Sequence, residues 1–504
     1  MTAKLKSAGN KYKQGKCLYK LLISILIGLL FLAGCDKPAK TAVTAADTPS
    51  ATTAQKPKVI TFVTMNSPNT YFVNDDNEYA GLEYDLAKLF VKDLNSDPQF
   101  KGTQLKLIVE NHIDQILPAI LSGKADIAAA DLSVTEVRKK RFNFTTPYED
   151  VQQQVVYNKD TGKTPPKNIK DLIGLPIVVP SGTSFAERLA KLREHTPNLT
   201  WQERVDANSE KLLTEVTNEE IEYTIADSHL IANLQNYHPN LGVAFAIGEP
   251  EKIAWAVSKQ ADPKLLEKAN VFFAKIKKDG TLRNLVDRYH GNSKRLNPFD
   301  IKTFLIRNNT LLPKYAALFK HAQETTGIDW RLLAAISYQE SHWDTFNTSP
   351  TNVRGLMMLT ENTADQMGVT DRLDPKQSIP AGAKYINLMI DTVPARIPEP
   401  DRTYMALAAY NIGYAHVEDA RVLAQRLKLN PDSWADIKKT LVMLNNPNYY
   451  INAKYGYCSG GAPVIYVESI RSYHSILQRY QPSHDNDPDS YKIARNNQMV
   501  ALNE

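Results

Sequence analysis

Cysteine is scarce in this 504-residue chain, which has three, at positions 17, 35 and 458. The first two belong to an N-terminal leader, so only Cys458 remains in the folded part and no intrachain disulfide can form there. The ten histidines show no metal-ligand spacing, and we expect neither a metal nor a cofactor. Stability must therefore come from the burial of apolar side chains.

Acidic residues are absent from the first 34 positions, where six lysines precede an apolar run at 21–33. A run of 13 residues is too short to span a bilayer comfortably, but it fits the apolar region of a secretory signal. Its "LAGC" ending resembles the bacterial lipobox, in which the cysteine is lipidated. We expect residues 1–34 to be a lipoprotein signal peptide and Cys35 to be lipidated. A plain signal peptide with a chance cysteine is the alternative.

Positive charge is also scarce once the leader is removed, because the loss of six lysines lowers the formal net charge from +5 to −1. Nothing in the mature chain therefore points to nucleic acid. Residues 35–57 are rich in Ala, Thr, Pro and Lys and poor in large apolar side chains. This composition predicts a flexible tether.

Two folded regions follow the tether. Between residues 58 and 291, short β-branched runs alternate with amphipathic helices, a pattern that predicts α/β units with mostly parallel sheets. Strand signals almost vanish in residues 292–480, where we expect a mainly α domain with helices around 377–389, 402–409, 417–427 and 464–480. Residues 481–504 read as a disordered polar tail.

Two stretches of the first region, "GLEYDLAKLF" and "GKADIAAADLSVTEVRKKRFNFTTPY", resemble the family 3 periplasmic solute-binding proteins. The resemblance implies a two-lobed α/β domain that clamps a small polar ligand. Asp131 stands where the family commonly has Gly, so the ligand is not necessarily a simple amino acid, and a peptide or a muropeptide is also considered. Arg138 would grip a ligand carboxylate, although a solvated helix-start arginine is the alternative. The implied ligand-binding residues are Ser133, Thr135, Arg138, Gly182, Thr183 and Asp227.

In the second region, Glu340 shares a helical face with Leu333, Ile336 and Ser337. Burial and the negative end of the helix dipole both raise the pKa of a carboxyl group in that position. We therefore expect Glu340 to hold a proton near neutral pH, as a general acid must. The alternative is a glutamate that reaches solvent from the helix end.

Five motifs in order accompany this helix: "QES" at 339–341, "SPTNVRGLMMLT" at 349–360, "IPAGAKYIN" at 379–387, "ALAAYNIG" at 406–413 and "GAPVIYVESI" at 461–470. Together they resemble the lysozyme-like domain of the soluble lytic transglycosylase family. The resemblance implies Glu340 as the catalytic acid and base, with Ser349, Met357, Tyr410, Asn411 and Tyr466 on the sugar. Met357 and Tyr466 are alternatively core residues.

The resemblance implies non-hydrolytic cleavage of the bond between N-acetylmuramic acid and N-acetylglucosamine in peptidoglycan, leaving 1,6-anhydro ends. The front module would then regulate the enzyme. Two alternatives are a hydrolytic muramidase and a solute-binding receptor with a non-catalytic tail. We expect a lipid-anchored protein on the periplasmic face of the outer membrane, although Asp36 after the lipidated cysteine also fits the inner membrane.

Overall fold

The structure, a computed structural model, describes residues 58–73, 78–291, 296–349 and 353–484. The predicted signal peptide, Cys35, Asp36 and the tether lie outside these ranges. The strands are β1 Val59–Met65, β2 Phe72–Val73, β3 Tyr79–Ala80, β4 Gln104–Glu110, β5 Ile127–Ala128, β6 Phe142–Phe144, β7 Glu149–Val151, β8 Gln153–Asn158, β9 Ile177–Pro180, β10 Gln202–Arg204, β11 Tyr223–Asp227, β12 Leu241–Ala246, β13 Glu251–Ile253 and β14 Ala256–Ser258.

The helices of the front half are α1 Leu82–Leu94, α2 Ile116–Leu121, α3 Glu136–Lys139, α4 Ser184–Arg193, α5 Ser209–Thr217, α6 Ser228–Gln235, α7 Pro263–Lys278 and α8 Thr281–His290. Those of the back half are α9 Pro298–Thr310, α10 Ala316–Thr326, α11 Trp330–Ser341, α12 Glu361–Met367, α13 Pro375–Thr392, α14 Asp401–Ile412, α15 Tyr414–Arg426, α16 Trp434–Met443, α17 Pro447–Tyr450 and α18 Gly461–Tyr480.

Two five-stranded sheets, one in each lobe, form the front half. The first lobe has the strand order β4-β1-β5-β14-β6 and the second has β10-β9-β11-β8-β12. Aromatic residues fill the first core, where the Phe62, Phe90 and Phe273 rings surround Trp255. The second core is mainly aliphatic. The two-lobed α/β architecture is therefore present.

The sheets are mixed, which corrects the prediction of mostly parallel strands. In the first lobe β1 runs parallel to β4 and β5, but β14 runs antiparallel to β5 and β6. In the second lobe β8 runs antiparallel to β11 and β12. The reason is the connection between lobes, an antiparallel ribbon of β7 and β13. Because β8 and β14 follow directly from this ribbon, they enter their sheets from the hinge side.

The back half is helical and has one core of its own, which includes Phe304, Trp330, Trp343 and Trp434. The predicted helices correspond to α13, α14, α15 and α18, each a few residues longer than expected. Helices α9, α12 and α16 were not predicted. Helix α9 begins close to the predicted domain boundary at 291/292, and Asn297 caps it by accepting a hydrogen bond from the Asp300 amide at 2.9 Å.

The first residues of the predicted polar tail are packed, contrary to expectation. The Trp330 indole donates to the Pro482 carbonyl at 3.2 Å, and the Gln323 amide donates to the His484 carbonyl at 2.6 Å. The remainder, from 485 onward, lies outside the described residues. Cys458 is a free, buried thiol. Within the described ranges, no helix combines the length and the apolar character needed to cross a bilayer.

Both lobes contact α18 of the back half, and residues 57–504 form one compact unit. From the first lobe, the Asp287 carboxylate on α8 pairs with Lys438 and with Arg471. From the second lobe, the Tyr237 hydroxyl is hydrogen-bonded to Ser475. Helix α18 therefore touches both halves of the front module.

Candidate functional site

Glu340 lies in the last turn of α11, on the predicted face. Asp329 caps the start of the helix by accepting from the Arg331 amide at 2.8 Å, and His342 ends it in a left-handed conformation with φ of 52°. Leu333, Ile336 and Ser337 have no accessible surface, whereas Glu340 is partly exposed. The carboxyl group thus sits at the rim of the core, where a substrate can reach it.

The Glu340 carboxyl group accepts a hydrogen bond of 2.6 Å from the Tyr466 hydroxyl on α18. Burial raises the pKa of Glu340 to about 7, and the Tyr466 hydrogen bond partly opposes this rise. The upward shift of the Glu340 pKa agrees with the prediction. At neutral pH both protonation states are populated, so the group can first donate a proton and then accept one.

Tyr410 completes an aromatic group around the carboxyl. Its hydroxyl donates to the Met357 carbonyl at 2.8 Å, and its ring lies 5.3 Å from that of Tyr385. Burial and the nearby Glu340 charge raise the pKa of Tyr410 well above its ordinary value, so it remains a neutral donor. Asn411 follows it at the exposed end of α14.

Met357 is a buried residue in this structure. Its side chain has no accessible surface and packs against Gly382, where an added Cβ would come within 2.6 Å of it. A contact between this side chain and a sugar stays a prediction. The residue contributes its backbone carbonyl, which fixes Tyr410. The predicted alternative, a core methionine, describes the side chain.

Serines hold the segment that carries Met357. Ser337 and Ser341 both place a hydroxyl 3.0 Å from the Leu356 carbonyl, so both are structural. Ser349 closes a turn, in which its hydroxyl accepts from the Val353 amide at 3.1 Å. A contact between Ser349 and a sugar stays a prediction.

No charged neighbour among the described residues shifts the pKa of Glu340. Asp344, four residues on, is exposed and accepts from the Phe346 amide at 3.0 Å within its own loop. The described residues also contain no cluster of His, Cys, Asp and Glu that could hold a metal ion.

In the front module, Arg138 is buried, with 4% of its surface exposed, so the alternative of a solvated arginine is wrong. Its Nε donates to Glu187 at 2.9 Å, and its two Nη atoms donate to the Ser133 and Gly182 carbonyls at 3.2 and 3.1 Å. Thr135 donates to the other Glu187 oxygen at 2.5 Å. Arg138 and Thr135 thus pair with a carboxylate, and it belongs to the chain itself. Binding of a ligand carboxylate by Arg138 stays a prediction.

The two second-lobe residues contact groups of the chain itself. The Gly182 carbonyl accepts from Arg138 at 3.1 Å, and the Thr183 hydroxyl donates to the Pro180 carbonyl at 2.7 Å. Both residues lie at the cleft, and Thr183 lines its cavity. Contact of either residue with a ligand stays a prediction.

Asp227 is buried beside the cleft but does not line its cavity. Burial raises the pKa of Asp227 to about 7, and one of its oxygens has no hydrogen-bond partner among the described atoms. Asp131 adopts a φ of 56°, a left-handed conformation that favours glycine, and pairs with His229 at 2.8 Å. Burial alone would lower the pKa of His229, but Asp131 raises it to about 9.

Three site residues were missed in the sequence. Glu187 lies in "FAERLAKLRE", where nothing distinguishes it from a solvent-facing helix residue. His229 follows two residues after Asp227, and Tyr385 lies within the third of the five motifs. The last two could have been found from their position in the motifs, whereas Glu187 could not.

Comparison with known families finds a matching family for the front half and another for the back half of the chain. The bacterial extracellular solute-binding proteins of family 3 match residues 59–292, and the transglycosylase SLT domain matches residues 317–431. An ancestral arginine-binding protein bound to arginine overlaps 46% of this chain and 97% of its own at 26% identity, with a TM-score of 0.39. That score is too low to support an inference about this chain.

Two relatives match along nearly their whole length. A membrane-bound lytic murein transglycosylase F from Methylobacillus flagellatus is 53% identical over 95% of this chain and 98% of its own. A membrane-bound lytic murein transglycosylase F from Nitrosospira multiformis is 42% identical over 93% of this chain and 94% of its own. At these identities and coverages, the chain belongs to the membrane-bound lytic murein transglycosylase F family.

Proposed function

We propose that this protein cleaves the β-1,4 bond between N-acetylmuramic acid and N-acetylglucosamine in peptidoglycan without consuming water. Glu340 is the acid and then the base. The observation that supports this role is a partly exposed carboxyl group with a pKa raised to about 7. The alternative activities, a hydrolytic muramidase and a non-catalytic receptor, are not favoured.

The proposed reaction moves one proton in two steps. Glu340 first protonates the glycosidic oxygen, and the bond from that oxygen to the muramic anomeric carbon breaks. The acetamido oxygen of the substrate stabilises the positive charge on this carbon. The ionised Glu340 then takes the proton of the muramic C6 hydroxyl, whose oxygen bonds to the anomeric carbon. Because nucleophile and electrophile belong to one sugar, the effective concentration is high.

Among the described residues, no charged partner shifts the pKa of Glu340, and this supports the route over hydrolysis. Ordinary glycosidases use two carboxyl groups roughly 5–9.5 Å apart, the second as nucleophile or as the base that activates water. In the described residues no second carboxylate affects Glu340. Tyr466 orients the Glu340 carboxyl, Tyr410 is fixed beside it, and Asn411 and Ser349 contact the glycan.

The test is the Glu340→Gln variant, incubated with purified murein sacculi. We expect loss of 1,6-anhydro products in mass spectrometry, because the amide cannot transfer the proton, with an unchanged melting profile. Glu361→Gln is the matched control, since Glu361 is an exposed glutamate in the first turn of α12. Near-normal cleavage by Glu340→Gln would remove this residue from its role, and reducing ends without anhydro ends would indicate a hydrolase.

We also propose the predicted processing and domain boundaries. Residues 1–34 are removed, Cys35 carries the lipid, residues 35–57 tether domains 58–291 and 292–480, and 481–504 form the C-terminal segment. Membrane association is supported by the relatives' name and by the lipobox, and the family resemblance suggests the outer membrane, with the inner membrane as the alternative because of Asp36. In fractionated cells, a Cys35→Ser chain should leave the membrane fraction, and wild-type chain in the inner-membrane fraction would contradict the outer-membrane location.

The front module is proposed to bind a small polar ligand and to regulate cleavage. Its ribbon hinge and its contacts with α18, the helix that carries Tyr466, support this coupling. A cleft that opens and closes is a two-state element of the kind that such regulation needs. Equal cleavage rates with and without a ligand proven to bind would contradict regulation.

A further inference from the structure

The Arg138 site has the chemistry of a carboxylate receptor. A buried guanidinium must be paired, because an isolated buried charge is very costly. Here the pairing oxygens are those of Glu187, one on Arg138 Nε at 2.9 Å and the other on the Thr135 hydroxyl at 2.5 Å. Two donors on two oxygens of one carboxylate form a specific, charge-assisted arrangement.

Glu187 reaches this site from the opposite lobe. It lies on α4 of the second lobe, whereas Thr135 and Arg138 lie at the start of α3 in the first lobe. Two further contacts cross the cleft at the same point: Arg138 to the Gly182 carbonyl at 3.1 Å, and the Ser184 hydroxyl to Ser133 at 3.2 Å. Groups of the chain itself therefore hold the lobes together here.

The cavity beside Arg138 is small. It has a volume of about 60 Å³ and is lined by residues that include Met65, Leu132 and Phe185. A single water needs roughly 10–15 Å³ on this measure, so this cavity holds a few waters. A larger cavity of about 810 Å³ shares the lining residue Asn208 with it. At Arg138 itself, a free amino acid would find no unpaired guanidinium for its carboxylate.

We propose that Glu187 is a built-in occupant of the carboxylate subsite of the front module and is its specificity-determining residue. The native protein accordingly does not bind free α-amino acids, and its ligand presents no carboxylate to Arg138. This inference rests on the proposed ligand-binding role of the front module, and it narrows the ligand to one that meets this end of the cleft with neutral or cationic groups.

The test is isothermal titration of the full chain in detergent with L-arginine, L-glutamate and L-alanine as probes. We expect no saturable binding to the native protein at millimolar probe. The Glu187→Ala variant frees Arg138 and Thr135 and should bind at least one probe at least tenfold more tightly. Glu194→Ala is the matched control, because Glu194 ends the same helix in an exposed position, and it should behave as the native protein does.

A double variant, Glu187→Ala with Arg138→Gln, should lose the gained binding. Glu187→Gln, which keeps the side-chain shape, replaces Glu187→Ala if the latter does not fold. Micromolar binding of an amino acid by the native protein overturns the inference, as does a folded Glu187 variant without any gain. Anhydro product release by the native protein is measured in parallel, so a failure of the lytic function is recognised separately.

Discussion

The pair formed by Glu340 and Tyr466 sets the chemistry at the residue scale. Burial raises the pKa of the carboxyl group to about 7, and the Tyr466 hydroxyl, at 2.6 Å from Oε1, limits that rise by stabilising the charged form. The same hydrogen bond fixes the direction of the carboxyl. The Tyr466 hydroxyl thus affects both the pKa and the orientation of the Glu340 carboxyl group.

Replacing Tyr466 with Phe tests this double role. Without the donor the pKa of Glu340 rises further, so the alkaline limb of the pH–rate profile should move to higher pH. We expect kcat to fall about tenfold, since a hydrogen bond to a charged group contributes about 1.5–3 kcal/mol. Anhydro product formation between pH 5 and 9 measures both effects. Tyr473→Phe, on the same helix but within the core, is the control and should leave the profile unchanged.

At the scale of elements, α11 and α18 bring the site together, and the start of α11 depends on Asp329. This carboxylate caps the helix and pairs with the buried Arg331 at 2.7 Å and with His474 of α18 at 3.5 Å. Burial alone would raise the pKa of Asp329, but His474 and Arg331 lower it well below its ordinary value. Asp329 thereby connects α11 with α18, the two helices that carry Glu340 and Tyr466.

The Asp329→Ala variant should lower the free energy of unfolding by about 3 kcal/mol at pH 7, through the loss of a cap and of a partly buried ion pair. Because the folded-state pKa is lowered, this stabilisation is present above the unfolded-state pKa and is lost as the pH falls. The difference between wild type and variant should therefore shrink in acid. Urea unfolding at pH 7 and pH 3 measures it. The Asp329→Asn variant keeps a capping oxygen, so its free energy of unfolding should fall by less than that of Asp329→Ala. An equal decrease in both variants would contradict the role of the cap.

At the scale of the whole molecule, charges join the front module to the catalytic one. Asp287 on α8 faces Lys438 and Arg471, and Arg471 also pairs at 2.9 Å with Glu468, which has no accessible surface. Arg283 on the same helix pairs with the buried Asp436. These contacts give the front module a fixed attachment to the domain that carries the catalytic glutamate.

Asp287→Ala should weaken this attachment by about 1–2 kcal/mol, less than the 3–5 typical of a broken buried pair, because Arg471 and Lys438 both keep an ion pair with Glu468. In calorimetry we expect the two modules of the variant to unfold in separate transitions. If the wild type already shows two transitions, their melting temperatures should lie further apart in the variant. Asp391→Ala, an exposed aspartate at the end of α13, is the control and should melt as the wild type does. A single unchanged transition in Asp287→Ala would contradict the proposed attachment.

The sequence by itself determined what depends on near neighbours along the chain. It predicted α13, α14, α15 and α18 and the face and raised pKa of Glu340, since helical periodicity acts within a few residues. The two-lobed fold and the enzyme family were also recognisable from ordered motifs.

Only the tertiary structure decided which distant groups meet. Tyr466 is 126 residues from Glu340, and Glu187 is 49 residues from Arg138. The mixed sheets, the burial of the Met357 side chain and the closing of the cleft by Glu187 likewise depend on the packing of elements far apart in the chain. The physical reason is that the local sequence pattern determines on which face of a helix or strand a side chain lies. Which residue that side chain contacts depends on the element that packs against this face, and that element is often distant in the sequence.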